Sequence, residues 1–464
     1  MGDEMGASRS AQTGSILKRL GAAVLSLCLA GPVFAKDLGD ILVQKGLITP
    51  EELKQAREEE KQKSAVEESR RDAIMAKLPK WLDMITPFGD LRIREEGFYA
   101  NELNARNRSR LRARVGLNVN PTDEVGATFR IASGNPDDPI STNQSFERTF
   151  TRKSVSLDWA YLTVKPGKTF GLEPGWGTIT GGKFGVPAYR TSELVFDDDL
   201  SPEGATETMN LVEHREDVLR SLKLNGFQWV VDEVAGAGDP WMIGGQIVSE
   251  VAIPDGPKLT VAFADYSYQS LDEVASKYLE KTSSSYNSSL ANSNTLTKNA
   301  DGKITGFASN FNVVNGGGEL NFGNVLGYST GLFGEVAYNT QASSNSTGFA
   351  TGVGFGNSGR DWYHNSLKNP GDWAISYTYE HVGKNAVPAM FSYSDLDYVT
   401  SSGTQKGSTN VQASILRFDY ELFPNFQLTA KAHFINVLDR SEANAKLNGN
   451  ATLVRTQLDA VLKF

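Results

Sequence analysis

RLRARVGLNV (110–119) decides the fold. Leu111, Ala113, Val115, Leu117 and Val119 fall on one face of an extended chain, and Arg110, Arg112, Arg114, Gly116 and Asn118 fall on the other. A period of two marks a strand between two different environments. In a sandwich the apolar face would meet a core and the arginines bulk water. In a membrane barrel the apolar face meets lipid and the arginines line an aqueous lumen. One strand does not separate these readings, so the turns around it have to.

The connections on either side alternate short and long. Asn120-Pro121-Thr122-Asp123 comes directly after the strand, then GATFRIAS, then a polar loop over 133–153. SVSLDWAYLTV (154–164) and WGTITGGKF (176–184) are joined compactly, and a long loop runs from 185 to about 213. A strand over 214–224 is expected to turn at Asn225-Gly226, a strong hairpin dipeptide, because the apolar parity flips there from Leu222 and Leu224 to Phe227 and Trp229. Pro254-Asp255-Gly256-Pro257 is another tight turn, and the Ser/Asn-rich stretch 270–303 another long loop. Short turns on one side and long loops on the other describe an outer-membrane barrel, with the short turns periplasmic. The count is about 16 antiparallel strands (14–18). Its weakest join is 357–372, a long segment on the short-turn side.

The final strand, NATLVRTQLDAVLKF (450–464), carries Leu458, Ala460, Leu462 and Phe464 on the outward face, and Arg455, Gln457, Asp459 and Lys463 inward. An amphipathic last strand with a terminal aromatic suits recognition by the barrel-assembly machinery of the outer membrane.

Composition agrees with this class without choosing it. With 39% hydrophobic residues, 22% charged residues and 45 glycines, nothing beyond the N-terminus approaches the roughly 20 apolar residues of a spanning helix. Lys18 and Arg19 precede an apolar stretch ending Val33-Phe34-Ala35, which reads as a signal peptide over 1–35 and an exported chain. The single cysteine, Cys28, lies inside it, so disulfides and Cys-ligated metals are excluded from the mature chain. The net charge of −9 argues against nucleic-acid binding.

Residues 36–80 differ in character from the strands of the barrel region. Thr49-Pro50-Glu51-Glu52 combines an N-cap, a proline at the first helical position and a capping-box glutamate. The Glu/Lys/Arg-rich run to Leu78 then reads as a solvated periplasmic helix or weak coiled coil. It is either a spacer or a device that pairs three copies.

The segments RLRARVG (110–116), GNPDDPISTNQ (134–144), LDWAYL (157–162) and SELVFDDDLSPEG (192–204) resemble those of the Putative porin family of Gram-negative bacteria. The resemblance covers essentially the whole barrel region, 81–464. It implies passive diffusion of small hydrophilic solutes and carries over no catalytic or ligand residue. LGDILVQKGLITPEEL (38–53) lies outside it and is similar to a small helical module of secretion ATPases.

About 16 strands enclose water rather than a filled core, so selectivity rests on lumen charges and inward loops. Arg92, Arg94, Arg110, Arg112, Arg114 and Arg130 share inward parity on three neighbouring strands and form one basic wall, with Glu95 and Glu96 close by. Either these arginines draw anions, or they pair with carboxylates and stiffen the wall. The third external loop, 185–213, carries Glu193, Asp197, Asp198, Asp199 and Glu203 around Leu194, Val195 and Phe196. In trimeric porins generally the third loop narrows the barrel, and here it would set a transverse field against the arginines. The alternatives are a surface loop or a cation site, although three consecutive aspartates do not all point at one ion.

A homotrimer in outer-membrane lipid and lipopolysaccharide is expected, with no cofactor, metal or catalytic residue called for. The rival readings are a sheath or tether for an electron-transfer partner, and a barrel enzyme. The enzyme would need a positioned base, and only His214, His364, His381 and His433 are available as histidines. No haem-attachment motif is present for the sheath.

Overall fold

Every second residue of the strands faces the wrong way for a soluble protein. Leu91, Ile93, Val115, Leu117, Phe129 and Ile131 are exposed, whereas Arg94 and Glu96 keep only 4% and 0% of their surface. That inversion is a barrel wall with lipid outside and polar groups within. The computed structural model describes residues 79–464 except 101–103, 214–217, 255, 359–361, 363–366, 400–404 and 440–451; before residue 79 it describes only residues 43, 49–55, 58, 59 and 62.

Sixteen strands form the wall: β1 Ile85–Tyr99, β2 Arg106–Val119, β3 Val125–Ser133, β4 Val155–Val164, β5 Gly177–Lys183, β6 Glu203–Glu213, β7 Leu219–Val230, β8 Trp241–Ala252, β9 Lys258–Gln269, β10 Asn312–Val325, β11 Tyr328–Asn339, β12 Thr347–Gly356, β13 Trp373–Val382, β14 Val411–Phe423, β15 Phe426–Val437 and β16 Leu453–Lys463. Each pairs antiparallel with the next. β16 pairs antiparallel with β1, from Asp90 opposite Lys463 to Tyr99 opposite Val454. The ring is therefore closed, and among the described residues no wall strand keeps an unpaired edge toward hydrocarbon. Gly89 and Phe464 exchange backbone hydrogen bonds of 2.9 and 3.1 Å at the foot of this seam. The Phe464 ring lies where a Cβ on residue 89 would stand, 2.7 Å away, so only glycine lets it pack there.

The connections at one end are short, two residues at 326–327 and 424–425, and those at the other end are long. The segment 357–372 joins β12 to β13 at the short-turn end, and Trp362 from it is fully buried. An ideal Cβ on Gly331 or Gly354 would lie 2.2 Å from the Trp362 indole. At the outer rim of the same end Tyr328, Phe355 and Trp373 cluster with centroids 4.8 to 5.8 Å apart, where an aromatic girdle belongs.

Two boundaries differ from the sequence reading. Asn225-Gly226 is not a turn: β7 runs straight through it, starting at Leu219 and pairing antiparallel with Glu203–Glu213. The third loop ends at Pro202 rather than 213, because Glu203–Glu213 is β6. Phe227 and Trp229 share the inward face with Asn225, so the parity flip marks a change in what the lumen holds at that height. Among the residues before 79, Thr49 and Glu52 form a reciprocal capping box (Thr49 N to Glu52 Oε2 2.7 Å, Glu52 N to Thr49 Oγ1 3.2 Å) ahead of the helical residues 50–55. The signal peptide and most of the proposed coiled coil lie outside the described residues.

Candidate functional site

The loop between β5 and β6, residues 184–202, crosses the interior of the barrel. It is fastened to β8 where Tyr189 N donates to Gln246 Oε1 (2.9 Å), and to β11 where Ser192 Oγ donates to Glu335 Oε2 (2.8 Å). It reaches β2 through Asp199, 3.3 Å from Arg114 and 3.7 Å from Arg112. Leu194, Val195 and Phe196 keep at most 2% of their surface. The Phe196 ring lies 5.3 Å from Trp229 and 5.0 Å from Tyr266. The apolar face of β7 inside the lumen is thus the seat of this loop, because burying three large side chains needs an apolar partner even in an aqueous channel.

A second loop, 383–410 between β13 and β14, meets the first inside the barrel. Asp197 N donates to Phe391 O (2.8 Å), Tyr393 N to Glu193 O (3.1 Å) and Ser394 N to Asp197 Oδ2 (2.8 Å). Its Asp395 takes Arg455 of β16 at 2.8 Å and Arg94 of β1 at 3.7 Å, and Tyr393 bonds His433 Nε2 at 3.0 Å. Sequence reading gave this loop no role, and no local pattern announces one.

The arginines stand together on β1 to β3, each against a carboxylate or a loop. Arg94 makes a two-pronged bond to Asp459 (2.7 and 2.8 Å). Arg112 and Arg114 share Asp90 (2.8 and 2.6 Å), and Arg130 holds Asp158 at 2.5 Å while stacking on Trp159. Glu96 is gripped by Arg108 and Arg455. Arg92 and Arg110 have the weakest counter-charges, Asp459 at 4.0 Å and Glu96 at 3.8 Å. Glu95 is on the opposite face from Glu96 and accepts from Ser109 Oγ at 2.5 Å.

The sequence profile of the family described as Putative porin matches residues 97–436. The chain belongs to the Putative porin family. No curated protein matches it. Solved structures similar to it include OprB of Pseudomonas putida at high pH (10% identity, 83% of this chain and 96% of that one, TM-score 0.49). OmpF of Salmonella typhi in complex with daunomycin (10%, 82% and 97%, 0.43) and the loop L8 deletion mutant of OmpT of Vibrio cholerae (8%, 82% and 100%, 0.41) are others. Membership of the family makes the chain a porin-like barrel of the outer membrane.

Within this porin-like barrel the five loop acids do not act alike. Only Asp199 reaches the arginines. Burial works against its charge, but Arg112, Arg114 and Arg92 outweigh it and hold the carboxyl well below the usual range. Burial pushes Glu193 and Asp197 well above theirs, and neighbouring aspartates add to the shift. Asp198 pairs with Arg190 at 2.6 Å. Glu203 is on β6, outside the loop, facing outward and bonded to Lys183 at 3.0 Å. Asp90 and Asp459 share the parity of the arginines and were legible from it. Asp158 escaped because a bulge between Arg130 and Ile131 sets Trp159 opposite Arg130. Leu458 and Leu462 are exposed on the outer face of β16, in one row with Ala460 and Phe464.

Proposed function

We propose that this chain is an outer-membrane porin passing small hydrophilic solutes through a water-filled barrel, with a preference for anions set by the β1–β3 arginines. The observation that carries this reading is the loop 184–202 inside the lumen, with Asp199 laid against Arg112 and Arg114. A loop held across a wide barrel narrows it, and a carboxylate opposite guanidiniums puts a field across the narrow part, where a permeating ion feels it most. The reading includes a homotrimer in lipid and lipopolysaccharide, assisted by the 36–80 segment. It also includes recognition of Leu458, Ala460, Leu462 and Phe464 by the assembly machinery. Diffusion needs no nucleophile or base, and the family supports a channel rather than an enzyme.

Reversal potentials of the reconstituted protein in a KCl gradient test it. Replacing Arg110, Arg112 and Arg114 by Ala is expected to lower anion permeability relative to wild type. Unchanged selectivity refutes the arginine assignment, and a barrel that conducts nothing refutes the porin reading itself.

A further inference from the structure

The arginine wall is unevenly neutralised. Asp459 gives both oxygens to Arg94 and leaves Arg92 at 4.0 Å. Glu96 gives its oxygens to Arg455 and Arg108 and leaves Arg110 at 3.8 Å. In consequence the Nε–H groups of both Arg92 and Arg110 are buried without an acceptor. The two arginines stand on paired strands, in the register that sets Arg92 opposite Arg112 and Arg94 opposite Arg110. Two like charges on diagonal positions of paired strands, each with its carboxylate 3.8 to 4.0 Å away in a partly desolvated place, are stabilised by an anion that joins them.

The two side chains of the covering segment that bond these arginines, Ser141 and Asn143, are neutral. Arg92 Nη2 donates to Asn143 Oδ1 (2.7 Å) and Arg110 Nη2 donates to Ser141 Oγ (3.3 Å). Asn143 Nδ2 in turn donates to the same Ser141 hydroxyl (3.3 Å). A bridge of one amide and one hydroxyl thus spans the two guanidiniums, accepting from each without adding negative charge. Both side chains keep 12% of their surface open to solvent.

We infer that Arg92 and Arg110, with Ser141 and Asn143, form a binding site for a small oxyanion on its way through the lumen. The class is set by the donors. Guanidinium N–H groups are directional and match the lone pairs of carboxylate or phosphate oxygens, and two guanidiniums side by side repel cations and give neutral solutes no advantage. The inference rests on the porin reading and sharpens it. The anion preference belongs to these two arginines, while Arg94, Arg112, Arg114 and Arg130 are held by carboxylates.

The test is single-channel recording of the full chain in planar bilayers, with potassium acetate and inorganic phosphate as separate probes. Wild-type current is expected to saturate with acetate, with phosphate or with both, which also tells a carboxylate site from a phosphate site. In Arg92→Gln/Arg110→Gln the half-saturating concentration should rise about tenfold or more, the effect of losing one charge-assisted hydrogen bond. Lys183→Gln, on the outer face, should leave it in place. Should the glutamine pair not fold, as judged by heat-modifiable migration, Arg92→Lys/Arg110→Lys keeps the charge and removes the fork. It should weaken oxyanion saturation while leaving KCl conductance near wild type. Wild-type current linear in both probes overturns the inference, as does an unchanged half-saturation in whichever pair folds. A protein that forms no channel overturns the porin reading instead.

Discussion

Replacing Phe196 by Ala should release the loop 184–202 from its seat without harming the barrel. Phe196 keeps 2% of its surface and packs at 60° to Trp229 and 77° to Tyr266. Truncating a buried phenylalanine costs about 3–5 kcal/mol, of which two aromatic edges account for roughly 0.5–1.5 each. At ~1.4 kcal/mol per factor of ten, docking weakens by about a hundred- to a few-thousandfold. The residue lies between strands and contributes nothing to the β ladder, so the loss falls on loop docking and not on closure of the ring. The expected outcome is normal heat-modifiable migration together with a larger or flickering unitary conductance and faster protease cleavage within 184–202. Should conductance, current noise and cleavage all match wild type, the apolar seat is not what holds the loop. Its polar ties at Gln246, Glu335 and Arg114 would then suffice alone.

Three further outcomes are expected from the charges. Asp199→Asn removes the counter-charge 3.3 Å from Arg114; a unit charge near 4 Å is worth ~1 kcal/mol in water, so the anion-to-cation permeability ratio should rise about fivefold, read from reversal potentials. Arg94→Met leaves Asp459 buried without its two-pronged partner at the β1–β16 seam, a loss of about 3–5 kcal/mol that should lower the temperature at which heat-modifiable migration is lost. Burial pushes the Asp138 carboxyl, near Arg110 and Asp199, up to about 6. Above its unfolded value near 4 the folded chain holds a proton that the unfolded chain has released, so this group costs stability progressively as pH rises from about 4 through 6. In the folded chain its ionisation around pH 6 should reduce anion preference, and a reversal potential constant between pH 5 and 7 would count against the assignment.

The wall was readable because lipid polices every outward position. Apolar residues at 111, 113, 115 and 117 have no alternative once the other face carries arginine, and the short-turn alternation then counts the strands. The exceptions have one cause. Phe227 and Trp229 broke the pattern because the lumen beside them holds Leu194, Val195 and Phe196 rather than water. A parity rule that assumes a polar interior then mistakes Asn225-Gly226 for a reversal, although β7 passes through it. The same misreading lengthened the third loop to 213, which moved Glu203 from the outer wall into the supposed constriction.

The lumen was harder to read because parity assigns a face and not a neighbour. Arg94 and Asp459 are 365 positions apart, and Arg455 and Glu96 are 359 apart, yet both pairs become neighbours once the last strand joins the first. Asp199 and Asp395 come from loops, where no period operates, and their reach across the barrel is set by apolar seats and by contacts between the loops themselves. Their effect on function is large. Six inward arginines in the sequence suggest a strongly positive wall, whereas the folded wall meets most of them with carboxylates. A nearly neutral wall with two under-compensated guanidiniums selects differently from a uniformly positive one. It holds an oxyanion at one place and releases it into a passage that is otherwise balanced, the condition for a channel that discriminates without trapping what it passes.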